Sequence, residues 1–177
     1  MDNWETQLKK SSITFNEHFK DDVLKVFNGD FEVVEGVTKY AMAKTLDQLA
    51  GIDLWYFNNR LGIRGVGNRI QFGDKNWRTF TIRKSRESGA KTEYEKRSKA
   101  ITNEWLYPIL TIQGYFDDKI NKALGFAIAK TKDILWMIDN GYYYEQSTGS
   151  KQIGQATFYV VDWDSMKQQK MHIYISE

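Results

Sequence analysis

Phe15, Phe19, Val23, Val26 and Phe27 recur at helical spacing, so one aromatic and aliphatic stripe predicts a core-facing helix. Thr14 and Glu17, three residues apart, read as its capping box, and Gly29 reads as its stop. Residues 31–35 predict a short strand ending at Gly36, while 40–49 fits either a helix or an irregular approach to Gly51. From Gly51 the period changes to that of a sheet. Ile52 to Phe57 reads as a strand and Asn58 with Asn59 as a turn. Gly62 to Phe72 reads as a second strand, and Gly62, Gly65 and Gly67 within it imply a bulge or a close backbone approach. Arg78 to Lys84 alternates as a third strand, so a three-strand meander is expected. Thr92 to Asn103 predicts a helix with a basic face.

The only proline, Pro108, opens the apolar run Ile109 to Phe116, read as a strand. Leu124 to Lys130 reads as another, and Asp133 to Asp139 as a short helix closed by Gly141. The segment from Tyr142 to Gly154, with Ser147-Thr148-Gly149-Ser150, is expected to be a loose loop. Thr157 to Trp163 returns to strand, and His172 to Ile175 is expected at a sheet edge. No internal repeat or linker divides the 177 residues, so they read as a single domain, 1–177.

A hydrophobic content of 41%, with six Trp, ten Tyr and ten Phe, predicts a folded globule. The chain has no cysteine, which excludes disulfides, thiol catalysis and cysteine zinc sites, and its two histidines, His18 and His172, are too few for a histidine-rich metal centre. No stretch approaches the roughly 18 apolar residues of a membrane span. A soluble protein of the reducing cytoplasm, without a membrane partner, is therefore expected.

Charge changes the picture. Residues 60–99 hold twelve basic residues against four acids, whereas the rest of the chain holds thirteen against nineteen. The net charge of +2 thus conceals a polarised molecule whose basic segment would attract a polyanion. Arg60, Arg64, Arg69, Arg78, Arg86 and Lys91 are the candidate phosphate contacts. Trp77, in the polar turn Asp74-Lys75-Asn76-Trp77-Arg78, is the aromatic placed to stack on a base or sugar. Just before the basic segment, Gly51-Ile52-Asp53-Leu54-Trp55 sets an aspartate at the start of an apolar strand. Asp53 is open to two readings, as a metal ligand or as a strand-end residue paired with an arginine such as Arg69. Glu93, Glu95, Lys96 and Arg97 read as a helix surface with salt bridges.

A helix with an acidic residue, a strand bearing Gly-Ile-Asp, a second strand ending near Arg69-Ile70-Gln71, a third strand and a helix together resemble the PD-(D/E)xK nuclease superfamily. The likeness covers about residues 14–104 and includes restriction enzymes, Holliday-junction resolvases and nucleases of phages and mobile elements. It implies an α/β (α+β) fold, a mixed central β-sheet flanked by helices with a restriction-endonuclease-like core, completed by the C-terminal strands and helix. It also implies magnesium or manganese held by Asp53 and by Gln71 on the next strand, with Glu17 lending a further carboxylate. Where the pattern wants a lysine the chain has Gly73, and Arg83 or Lys84 is the cation that could migrate into that role.

Such a site would make the chain a metal-dependent nuclease acting on DNA phosphodiesters, since magnesium activates water and a neighbouring cation offsets charge on phosphorus. Double-strand cutters often pair, so a homodimer is one expected state. Two further readings stand beside it. One is a catalytically degenerate nucleic-acid binder on the same scaffold, and the other is a protein-binding inhibitor that would use the Tyr142 to Gly154 loop.

Overall fold

The computed structural model describes residues 4–26, 29–33, 51–58, 62–148 and 155–176. The segment 40–49 and Arg60 therefore lie outside the described residues, as do 34 and 35 of the first expected strand.

Helix α1 (Trp4–His18) runs into helix α2 (Lys20–Val26) at Phe19. Phe19 N–H donates to the Phe15 carbonyl and Val23 N–H to that of Phe19, so helical phase survives the joint. The predicted stripe is thereby kept in line, with Phe15, Phe19 and Val23 all buried. The helix begins ahead of Thr14, which is buried within it and is not a cap. Helix-favouring Glu, Gln, Leu and Lys residues at 5–10 carry it further back than the Thr14–Glu17 pair suggested.

The strands, in chain order, are β1 (Asp30–Val33), β2 (Leu54–Asn58), β3 (Gly62–Phe72), β4 (Thr79–Arg86), β5 (Pro108–Asp117), β6 (Lys122–Lys130), β7 (Tyr144–Thr148), β8 (Ala156–Asp162) and β9 (Ile173–Ser176). Six form a mixed sheet in the order β1-β2-β3-β5-β6-β9, with β9 at an edge as expected. Every pair in it is antiparallel except β3 with β5. Parallel neighbours require a long crossover. Here the crossover contains β4 and helix α3 (Glu93–Thr102).

That crossover corrects the expected meander. Strand β4 does not join β3 but forms a second sheet, β4-β8-β7. Both faces of β4 are engaged: Phe80 and Ile82 enter a core, while Thr79 and Thr81 bond to Tyr115 and Gln113 of the main sheet. The expected loop from Tyr142 is corrected over its first part, since β7 runs from Tyr144 to Thr148 and pairs Tyr144 with Val160, while 149–154 lie outside the described residues. Strand β8 stops at Asp162, whose carboxylate accepts from Ser165 N–H and caps helix α5 (Trp163–Gln168), an element the periodicity did not predict.

Alternation along the strands divides the core into two layers. Leu54, Tyr56, Val66, Ile70, Ile112 and Phe116 meet the α1–α2 stripe on one face of the main sheet. On the other face, Tyr115, Ala127 and Ala129 meet Phe80, Ile82 and Val161 of the small sheet, together with α4 (Thr131–Asp139) and α5. The molecule is a mixed sheet flanked by helices, as expected, with a small sheet sharing one flank. No helix among the described residues is long and apolar enough to cross a membrane.

The α1–α2 joint sits directly on a bare strand position. A Cβ on Gly114 would lie 2.7 Å from Ile70 Cδ1 and 3.0 Å from Phe19 Cε1. Gly114→Ala is therefore expected to destabilise the protein by about 1–3 kcal/mol. Urea unfolding should show a lower midpoint at unchanged slope; a midpoint equal to wild type would contradict this seating of the helices.

Candidate functional site

Asp53 stands just ahead of β2, with its N–H bonded to the Val66 carbonyl at 3.0 Å. Its Oδ2 accepts from Asn68 N–H at 2.7 Å. Arg97 on α3 brings its Nη2 to 4.0 Å from the same oxygen. Arg97 is 1% exposed, and Nη2 also lies 2.7 Å from Glu93 Oε1, one turn earlier on the helix. Its other partners are the Thr111 hydroxyl and the Gly51 carbonyl. The guanidinium rests on Gly67, where a Cβ would come within 2.2 Å of Nη2. Only glycine leaves that space, which accounts for the glycine that the sequence marked as a close approach.

The first turn of α3 is held by a capping box between Thr92 and Glu95. This fixes Glu93 pointing inward, where it takes Arg69 Nη2 at 2.6 Å and Arg83 N–H at 3.3 Å as well as Arg97. Burial pushes the Glu93 carboxyl upward, but Arg97 and Arg69, aided by the Arg83 N–H, outweigh it and hold the group down at about 2. The Glu93–Arg97 pair, expected on a solvated helix face, is thus the centre of a network in which Arg97 is buried and Glu93 and Arg69 are half-buried. Arg69 goes to Glu93, so the arginine beside Asp53 is Arg97.

These residues do not fit a magnesium ion. The β2–β3 register sets Asp53 against Gly67, and Gln71 lies four residues further along β3, about 13 Å away at strand rise. Two ligands of one magnesium each stand about 2.0–2.1 Å from it. Glu17 belongs to α1, on the opposite face of the sheet, and is largely exposed beside His18. Lys84 is bridged to Glu145 of β7 instead of turning toward Asp53. Between Asp53 and Glu93 the place of a cation is taken by the Arg97 guanidinium itself. Among the described residues no three His, Cys, Asp or Glu side chains come together.

The structure does bring other predicted residues together. Strand β3 of the main sheet and the small sheet diverge into a cleft of about 200 Å³, lined by Gln71, Trp77, Thr79, Thr81, Tyr144 and Gln146. Beside Gln71 and Thr81 on the same strands, Arg69 and Arg83 both lie over the Phe158 ring, with guanidinium carbons 5.1 and 5.4 Å from its centre. Burial, then repulsion from Arg69 and Arg86, lowers Arg83 to about 10, against the pull of Glu93. Arg83 stays charged at neutral pH. Among the described residues, the Nε atoms of Arg83, Arg86 and Arg97 are buried without a hydrogen-bond partner.

The remaining candidates are scattered. Arg78 pairs with Asp164 at 3.0 Å. Arg64 is exposed on the α1 side of the sheet and bonds to the neighbouring Ile63 carbonyl, and Lys91 is exposed ahead of α3. Sequence reasoning missed Glu93, Arg97, Tyr144 and Gln146 as members of the site. The signal for the first two was present: a glutamate and arginine at i,i+4 on one helix, and two glycines at strand period on one face of β3, leaving room for a side chain from outside. Nothing in the pattern placed Tyr144 and Gln146 in one cleft with Gln71.

No protein-family model matches the chain, and neither the curated proteins nor the solved structures yield a match.

Removing the Glu93 charge leaves Arg97 buried with too little compensation, so Glu93→Gln is expected to cost about 3–5 kcal/mol at neutral pH. Because the folded-state value lies below the ordinary 4.5, the contribution of Glu93 is present above pH 4.5 and lost as pH falls toward 2. Urea midpoints measured across that window should fall more steeply for wild type than for the variant. Parallel curves would show that Glu93 does not carry this charge linkage.

Proposed function

We propose that the chain binds nucleic acid, DNA in the first instance, along the cationic rim of the cleft between its two sheets, and holds it without cutting. The observation that carries the reading is the imbalance, among the described residues, of a half-buried cluster around the buried Arg97: Arg69, Arg83, Arg86 and Arg97 against the carboxylates of Asp53 and Glu93. Arg97 is enclosed between the two acids. The surplus positive charge falls on Arg83 and Arg86, next to a partly exposed Arg69. The Arg69 side chain is 28% exposed, and a guanidinium forms charge-assisted hydrogen bonds with phosphate oxygens that are stronger than neutral ones. The mixed sheet with its parallel β3–β5 pair is compatible with a nuclease-superfamily scaffold. Arg97 standing between Asp53 and Glu93 favours the degenerate, binding form of such a scaffold over a metal-dependent one.

Phosphate contacts release counterions, so affinity for a labelled DNA strand, followed by fluorescence anisotropy, should fall linearly in log–log form between about 50 and 200 mM salt. Arg83→Gln and Arg86→Gln should each weaken binding to all sequences alike and reduce the salt slope by about 1. Plasmid incubated with magnesium or manganese should stay intact. Salt-insensitive affinity would overturn the reading, and so would plasmid scission by wild type that Asp53→Ala abolishes.

A further inference from the structure

The aromatic end of the cleft has features that phosphate binding does not use. Trp77 is 58% exposed, yet the turn that presents it is tightly held. Asn76 Oδ1 accepts from Arg78 N–H at 3.0 Å and Asn76 Nδ2 donates to the Leu124 carbonyl at 3.3 Å. Arg78 adopts a left-handed backbone, φ 54°, which is strained for a residue other than glycine. That conformation is kept by the Trp163 N–H bonding to the Arg78 carbonyl and by the Arg78–Asp164 ion pair. Strain maintained by three separate anchors around an exposed indole marks a positioned surface, not a loose turn.

Tyr144, 53% exposed on β7, lines the same cleft. Gln71, Gln146 and Thr81 contribute amides and a hydroxyl, groups that both donate and accept. Beneath Thr81, the buried Gln113 accepts from the Thr81 N–H and hydroxyl through Oε1, while its Nε2 is enclosed without an acceptor. The cleft is smaller than the roughly 300–1,000 Å³ of drug-sized sites, which suits a single flat ring system. Two exposed aromatic side chains and two amides lining one cleft, with arginines alongside, are what an unpaired base attached to a phosphate requires.

We infer that this cleft is a nucleobase site, in which an unstacked base lies against Trp77 and Tyr144 and meets the amides of Gln71 and Gln146 through its edge. The inference rests on the nucleic-acid reading above and narrows it to strands with unpaired bases. A base inside a duplex presents neither face to the protein, so the site selects single-stranded or locally opened DNA. Lys75, with Nζ 5.4 Å from the centre of the Trp77 ring, extends the arginine rim to this end.

The test uses the whole chain and matched oligonucleotides, single-stranded and duplex, carrying 2-aminopurine, with deoxyadenosine monophosphate as a separate ligand. Wild type should bind the single strand more tightly than the duplex and quench the 2-aminopurine fluorescence. Trp77→Ala should remove the quenching and weaken single-strand binding by about fivefold to a hundredfold while leaving duplex binding unchanged, and Trp77→Phe should restore part of both. Quenching that the free monophosphate competes away at comparable concentration would identify a mononucleotide as the source of the base; failure to compete would identify the strand. Salt-sensitive binding with equal affinity for the two forms, and no quenching, would overturn the base site while leaving the cationic rim intact. No binding of either form at low salt, with no response to the monophosphate, would overturn both.

Discussion

A single buried guanidinium ties the crossover helix to the central sheet. Arg97 reaches from α3 across Gly67 and is met by Glu93, Asp53, Thr111 and the Gly51 carbonyl. A charge enclosed to this degree is tolerable only where it is compensated, and its partners come from three separated parts of the chain, residues 51–53, Glu93 and Thr111. Helix α3, the approach to β2, and strands β3 and β5 are consequently held in one arrangement. The same contact determines what Asp53 can do, because an acid beside a fixed arginine already has its countercharge.

The path of β4 sets the rest of the functional surface. Had it continued the main sheet, its arginines would have extended a flat face. It instead leaves β3, bonds through Thr79 and Thr81 to the Tyr115 and Gln113 side chains, and pairs with β8. The two sheets then diverge around Gln71, with Arg69 and Arg83 sharing the Phe158 ring at one end and Trp77 opposite Tyr144's strand at the other. A cationic rim and an aromatic hollow follow from one change of sheet. The proposed binding of a DNA strand, and of a base within it, uses both ends of that cleft.

Local chemistry made much of this legible. The Phe15–Phe19–Val23 stripe, the 62–72 strand, the helix from Thr92 and the edge strand at the C-terminus stand close to where their periods put them. The glycines of β3 pointed to a close approach, and Gly67 under Arg97 is that approach. Trp77 was singled out because a large aromatic in a polar turn has no local reason to be there. Illegible were the partner of β4, the strand at 144–148 and the helix after Asp162, whose short polar sequences carry no period strong enough to override their turn-like composition.

By itself, the sequence determined most of the helices and strands, where the positive charge concentrates, and that cysteine chemistry is excluded, because these depend on composition and on neighbours a few residues apart. Only the tertiary structure decided that Asp53 faces Arg97 instead of Gln71, that Glu93 is drawn in among three arginines, and that Trp77 and Tyr144 line one cleft. The physical reason is range. Burial and pairing of charge depend on which distant strands share a face, and a one-dimensional pattern of polar and apolar residues assigns a side chain to a face without saying what stands opposite it.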